Sequence, residues 1–319
     1  MPPNNPAKGV EDLQEAEAVF HSVRGRLFGI AYRMLGSVGE AEDIVQEAMI
    51  RLHATDPAEV RSPTAYTATV TSRLALDELR SARVRRERYV GTWLPEPVLG
   101  EPDPAERAEL RESLTAAFLV VLETLGPVER AVFVLHDLFD LPYSEVATVV
   151  DRSEATCRQI AARARRHVAE RRQRFDPPSE RRDELVRGFF AALDAGDVAG
   201  LEKLLAEDVV FVGDGGGKGP AVKHPIDGTL RVARFLAGLA RQGDRFGLLI
   251  EPVTVNGSPG LRVLDPAGRL VNVLAIDFRD GRVAEVRSIV NPDKMRHLGP
   301  VANAAELLAG ESQPGGNAR

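Results

Sequence analysis

The chain has 319 residues, enough for two or three domains of roughly 100–200 residues each, so one small module does not account for it. Its 44% hydrophobic and 28% charged residues are ordinary for packed globular protein, and no apolar run approaches the roughly 18–20 residues of a helical bilayer span, which excludes that class of membrane protein. A net charge of −6 excludes a chain that coats nucleic acid indiscriminately, because such affinity rests on neutralising phosphates, yet it permits a local basic face.

Taken in order, the first predicted helix runs from Glu11 to Leu35, with Leu13, Phe20, Leu27, Ile30 and Met34 at helical spacing, and Gly36 stops it. A second runs from about Gly39 to His53, apolar on Ala41, Ile44, Val45 and Ala48 and polar on Asp43 and Glu47. Ser62-Pro63 reads as an N-cap followed by proline at the first helical position, opening a long helix to about Tyr89 whose end is crowded with arginines. From Gly91 to Pro104 the prolines deny helix and leave a semi-stiff connector. Trp93, the single tryptophan, lies inside it, where solvation would waste its burial energy, so it is expected to dock on a neighbouring surface.

Helices resume from about Ala105 to Leu125, Val128 to Phe139 and Tyr143 to Val150. After a tight break at Asp151-Arg152, a further helix opens at the cap candidate Ser153. The pattern changes beyond Asp176-Pro177-Pro178. Helices are predicted at about Ser179–Ala195 and Val198–Ala206, then a strand at Val209–Val212, a glycine-rich loop and a helix from Thr229 to Arg241. Strands follow at Phe246–Val255, Leu261–Leu264, Leu270–Phe278 and Val283–Val290, which makes an α+β domain. The tail 310–319 reads as disordered.

The helix, turn and second helix between Tyr143 and Arg166 have the layout of a helix-turn-helix, whose second helix meets base edges with its N-terminal residues. Ser153, Glu154, Thr156, Arg158, Gln159, Arg163 and Arg166 are the candidate contacts there, with Ile160, Ala164 and Val168 facing inward; a solvated helix with basic decoration is the alternative. Tyr66, Arg73, Arg80 and Arg83 on the third helix offer a stacking ring and a phosphate-following edge, against the alternative of a bundle with a basic rim. Arg172 is expected to touch phosphate alone.

The stretches GSVGEAEDIVQEAMIRLH and SPTAYTATVTSRLALDELRSARVRRE resemble region 2 of the sigma-70 family, and LGPVERAVFVLHDLFDLPYSEVATVVDRSEATCRQIAARARRHV resembles its region 4, both in the extracytoplasmic-function group. The resemblance implies two all-α sigma domains, 1–90 and 105–176, joined by the linker 91–104. It implies that Asp43, Gln46 and Glu47 meet the β′ clamp helices of RNA polymerase core, that region 4 meets the β flap, that the third helix holds the −10 element and that the helix from Ser153 reads the −35 element. Tyr66 stands where the family carries tryptophan, Arg73 where asparagine is common, and Asp151 where glycine is frequent; aspartate tolerates the left-handed backbone of the turn.

Residues 177–309 resemble a SnoaL-like domain of the NTF2 superfamily, a curved sheet and helices around a conical pocket. Trp93-Leu94-Pro95-Glu96-Pro97, Asp214-Gly215-Gly216-Gly217-Lys218 and Asn291-Pro292-Asp293-Lys294 match the sigma-factor group that carries this extension. These three pieces are expected to form interdomain regulatory contacts, with Lys218 as a charged latch. GGGK departs from the Walker pattern, since Val212 and Gly219 stand where glycine and Ser/Thr are required.

The leading expectation is a promoter-specificity subunit in the cytoplasm, controlled by its own C-terminal domain. Its partners would be RNA polymerase core, promoter DNA and an unidentified small molecule in the pocket, with no membrane, metal, cofactor or catalysis. The rivals are a pocket enzyme using Asp214, His224 or Asp277 as base, and a dimeric helix-turn-helix repressor.

Overall fold

The structure is a computed structural model that describes residues 23–60, 62–100, 114–171 and 180–310. The predicted start of the first helix at Glu11, the start of the helix at Ala105, Arg172, the Asp176-Pro177-Pro178 boundary and the tail from 311 lie outside these residues. The chain divides into two compact units, 1–87 with 121–171, and 88–120 with 172–319. The two predicted sigma regions therefore share one unit, and the connector belongs with the C-terminal segment.

In the first unit, α1 (residues 23–35) ends where Gly36 adopts φ 64°. Ser37 caps α2 (Val38–Ala54) by accepting from the Glu40 amide, and Ser62 caps α3 (Pro63–Arg86) by accepting from Ala65. Leu27, Val45 and Ala68 pack the three helices together. A second group comprises α4 (Ala116–Glu123), α5 (Pro127–Phe133), α6 (Tyr143–Val150) and α7 (Glu154–Arg171). The unit boundary at Val120 falls inside α4. The helix predicted to run from Val128 to Phe139 is α-helical only to Phe133; Val134–Leu138 forms a π-helical turn, with the Phe139 amide bonded to the Val134 carbonyl at 3.2 Å. The wide turn swings Phe139 so that its ring meets the guanidinium groups of Arg33 at 5.3 Å and Arg26 at 5.9 Å.

The second unit holds α8 (Glu180–Asp194), α9 (Val198–Leu204), β1 (Leu205–Asp214), β2 (Ile226–Asp227), α10 (Thr229–Arg245), β3 (Leu249–Val255), β4 (Ser258–Leu264), β5 (Leu270–Arg279), β6 (Arg282–Ile289) and α11 (Ala304–Gly310). The sheet order is β2-β1-β6-β5-β4-β3; β1 runs parallel to β6 and the other neighbours are antiparallel. β1 is much longer than the predicted Val209–Val212, because Leu205 already pairs with Val283 and Asp214 with Ile289. Conversely, Phe246 caps α10 and Gly247 turns at φ 62°, so the strand predicted from Phe246 begins at Leu249.

Strand alternation gives the sheet two apolar faces. Phe211, Ile276 and Val286 pack on α8, α9 and α10 through Phe189, Leu201 and Leu236. Val212, Val273 and Ile289 face the other way and pack on Leu94 and Leu99 of the connector and on Met295.

Candidate functional site

The connector is built into the α+β domain around Asp214, which is fully buried. β1 ends with this carboxylate, and the chain turns at once into the glycine loop. Asp214 Oδ1 accepts from the Tyr89 hydroxyl at 2.5 Å; Oδ2 accepts from the Leu94 amide and from Lys294 Nζ, each at 2.7 Å. Lys294, 6% exposed, also donates to the Leu94 carbonyl and stands 4.2 Å from the centre of the Trp93 ring and 4.9 Å from that of Tyr89. Asn291 donates to the Tyr89 oxygen at 2.8 Å and accepts from the Asp293 amide. Burial, then the hydrogen bond to Asp214, pushes the Tyr89 phenol well above its ordinary range, so it stays a donor.

The glycine loop fits this cluster by having no side chains. Gly216 takes φ 55°, and a Cβ there would overlap Asn291 Nδ2 and stand 2.8 Å from the Tyr89 oxygen. Lys218 pairs with Asp293, which also holds Arg296 at 2.5 Å. Further along, Val98 donates to Asn256, the Asn256 amide donates to the Val98 carbonyl at 2.8 Å, and the His297 ring meets the Pro97 carbonyl at 2.8 Å. Leu94 and Pro95 are buried, and Trp93 is half-buried. All three predicted segments, Trp93–Pro95, Asp214–Lys218 and Asn291–Lys294, thus meet at one place. Tyr89, the fourth participant, was not singled out by the sequence; an aromatic just after a basic helix is the only local signal.

The predicted polymerase-contact and nucleic-acid residues lie on α2, on α3 and on α7 with its cap Ser153, all in the other unit. On α2, Asp43 and Gln46 are exposed, Glu47 pairs with Arg51 at 2.8 Å, and Ile50, one turn on, is 62% exposed. On α3, the Tyr66 ring is half-buried with its hydroxyl 2.9 Å from that of Thr55, Arg80 pairs with Asp77, and Arg83 lies 3.9 Å from Glu87. Arg73 donates to the Thr148 carbonyl of α6 at 3.1 Å. Arg85 is held by Glu40 and Glu78.

On α7, Ser153 caps the helix by accepting from the Thr156 amide, and Asp151 makes the preceding turn at φ 54°. Arg158 pairs with Glu154 at 2.7 Å and its guanidinium lies 5.2 Å from the Tyr143 ring centre. Gln159 and Arg166 are exposed, Arg163 bonds Glu129 at 3.0 Å, and Arg165 bonds Asp137. Cys157, Ala161, Ala164 and Val168 form the buried stripe, with Ile160 half-buried at its edge. The Arg158–Glu154 pair is exposed on both sides and contributes about 0–1 kcal/mol, whereas Arg163 and Arg165 reach carboxylates that are largely buried.

Two residues that the sequence reading passed over hold this unit together. Arg33 and Arg130 are each 1% exposed. Arg130 Nε donates to the Arg33 carbonyl at 3.0 Å and its guanidinium pairs with Glu123, which also receives Arg86 from the end of α3. The available signal was an arginine inside an apolar helical stripe, between Ala31 and Met34 in one case and before Ala131 and Val132 in the other.

The candidate bases do not assemble. Asp214 is committed to the connector, His224 is exposed, and Asp277 pairs with buried Arg287 on the connector-side face of the sheet. Among the described residues, no group of His, Cys, Asp and Glu could hold a metal ion, and no helix is long and apolar enough to cross a membrane.

The described residues thus place a capped helix-turn-helix and a three-helix bundle in one unit and an α+β domain in the other. Residues 19–85 match Sigma-70 region 2, 115–168 match Sigma-70, region 4, and 186–286 match the SnoaL-like domain. The chain is 40% identical to the ECF RNA polymerase sigma factor SigJ of Mycobacterium tuberculosis (strain ATCC 25618 / H37Rv), over 94% of this chain and 97% of that one. It is 33% identical to the probable ECF RNA polymerase sigma factor SigI of M. tuberculosis (strain CDC 1551 / Oshkosh), over 88% and 95%. The crystal structure of M. tuberculosis SigJ superposes with a TM-score of 0.69 at 38% identity, covering 88% of this chain and 98% of that one. The chain belongs to the extracytoplasmic-function sigma factors of RNA polymerase, with a fused SnoaL-like domain.

Proposed function

We propose that this sigma factor is regulated through its own connector. Its α+β domain grips residues 89–99, the only covalent path between the −10 and −35 modules, and so controls when they separate. The observation that carries this reading is the buried Asp214–Lys294 pair, closed on Tyr89 and Leu94. Asp43, Gln46 and Glu47, joined by exposed Ile50, meet the β′ clamp helices, and region 4 meets the β flap. Tyr66, Arg73, Arg80 and Arg83 serve the −10 element; Ser153, Glu154, Thr156, Arg158, Gln159, Arg163 and Arg166 serve the −35 element. The protein acts in the cytoplasm, where polymerase and promoter DNA are, and its α+β domain is assigned no catalytic role.

One contact between the two DNA modules supports such an opening. Arg73 on the −10 helix touches Thr148 on the helix that precedes the −35 reader. In this reading the Arg73–Thr148 contact breaks before both elements are engaged together.

The test mixes sigma-free core polymerase with a promoter library and either the full chain or a chain ending after Arg171. Transcripts sharing paired −35 and −10 motifs, at levels that differ between the two chains, are expected. Absence of core binding and initiation from both would overturn the assignment; equal output from both would overturn the regulatory part.

A further inference from the structure

The outer face of α10 carries four exposed arginines, Arg231, Arg234, Arg241 and Arg245, and no lysine. At about 100° per residue they fall within one strip roughly 80° wide, opposite the side on which Val232, Leu236 and Ala240 are buried. From Arg231 to Arg245 the strip is about 21 Å long at ~1.5 Å per residue.

The carboxylates that neutralise arginines elsewhere in this domain are largely withheld from the strip. Arg262, Arg269, Arg279, Arg287 and Arg296 each pair with an aspartate or glutamate. On α10, Arg231 reaches exposed Asp227 at 3.8 Å, and among the described residues Arg234, Arg241 and Arg245 have no ion pair. Asp244, the one acidic residue of the helix, lies about 100° round from Arg245. Arg231 with Arg234, and Arg241 with Arg245, therefore stand one turn apart as like charges, an arrangement that disfavours a helix on its own and that an external anion relieves.

Gly238 lies at the centre of the strip. Glycine is a poor helix former, and a Cβ at this position would meet nothing within 4 Å, so no contact inside the domain requires it. The missing side chain leaves a shallow opening between Arg234 and Arg241, where another backbone can approach the helix closely.

Duplex DNA matches this surface. A stretch of B-DNA as long as the strip carries about twelve phosphates, one per ~1.7 Å of axis, and the planar guanidinium fork fits phosphate oxygens. The chain belongs to a family that engages promoter DNA, so the covalently attached domain meets duplex at a high effective concentration even though the whole protein carries a net charge of −6. We propose that the arginine strip of α10 is a DNA-backbone contact, through which the α+β domain holds duplex phosphates without reading bases. This contact is additional to the residues assigned to the −10 and −35 elements and does not depend on the connector grip.

The experiment follows binding of the full chain to a labelled duplex lacking promoter motifs, by fluorescence anisotropy over a range of salt concentrations. Arg234→Gln combined with Arg241→Gln should lower the slope of log affinity against log salt by about 2 and weaken binding about tenfold or more at ~0.1 M salt, as expected for two lost phosphate contacts. Arg262→Gln combined with Arg269→Gln makes the same change in net charge with arginines that already have partners, and should leave the slope unchanged. Gly238→Gln fills the opening without altering charge, and should weaken binding several-fold with no fall in melting temperature. An unchanged slope in the α10 double variant, an equal change in the control, or competition by polyglutamate as strong as by unlabelled duplex would overturn the DNA contact. Loss of affinity for core polymerase with DNA binding intact would also overturn it and assign the strip to an acidic protein surface. Wild-type DNA binding by Gly238→Gln would overturn the close approach at the strip's centre.

Discussion

Replacing Asp214 by asparagine keeps the side chain's size and removes its charge. Lys294 then remains 6% exposed with the Leu94 carbonyl and two aromatic rings for company but without its carboxylate partner. Breaking a buried ion pair from one side costs about 3–5 kcal/mol, and the remaining carbonyl and ring contacts place this case near the lower figure, about 3 kcal/mol. The double substitution Asp214→Asn with Lys294→Met leaves no stranded charge and should recover most of that loss, since replacing a buried pair altogether is often nearly neutral. Urea denaturation followed by Trp93 emission reports the connector, and far-ultraviolet circular dichroism reports the helices and sheet. The single variant should release Trp93 at lower urea than it loses secondary structure, with a coupling energy of about 2 kcal/mol or more across the double-mutant cycle. A coupling below about 0.5 kcal/mol, or wild-type Trp93 behaviour in Asp214→Asn, would refute the reasoning that this pair holds the connector.

Gly216→Ala should undock the connector by another route: its φ of 55° costs an L-residue roughly 1–2 kcal/mol, and its Cβ would crowd Asn291 and Tyr89, so a red-shifted Trp93 emission is expected in buffer alone. Arg158→Ala should reduce discrimination at one −35 position by about 1–3 kcal/mol, measured by competition binding with single-base promoter variants; an equal loss for all sequences would place the recognition face elsewhere. Burial raises the Glu285 carboxyl to about 7 from its ordinary 4.5. Between pH 4.5 and about 7 the folded protein holds a proton that the unfolded chain has lost, so stability should fall as pH rises through that window and level off above it. Glu285→Gln should flatten this part of the melting-temperature profile, and an unchanged slope would show that another group titrates there.

Much of this protein was legible in one dimension. Ser62 and Ser153 announce helix starts through local side-chain-to-amide bonds, and Asp151 announces a left-handed turn, because these depend on neighbours a few residues away. The three segments that build the connector site were also visible as candidates, since a tryptophan in a proline-rich linker and three consecutive glycines are conspicuous wherever they lie. Their meeting point was not. Tyr89 and Asn291 are 202 residues apart, Leu94 and Lys294 200, and no local pattern encodes a bond across such distances. Only the parallel pairing of β1 with β6, which sets Asp214 beside Ile289, brings them together. In the same way Asp214 and Asp277 are equal by residue type, and tertiary packing turned one into the anchor of the connector and the other into a partner of buried Arg287. Local chemistry determined the elements and the capped start of α7; long-range burial alone decided which charges are sealed in pairs, and therefore which residues hold the fold and which stay at the surface.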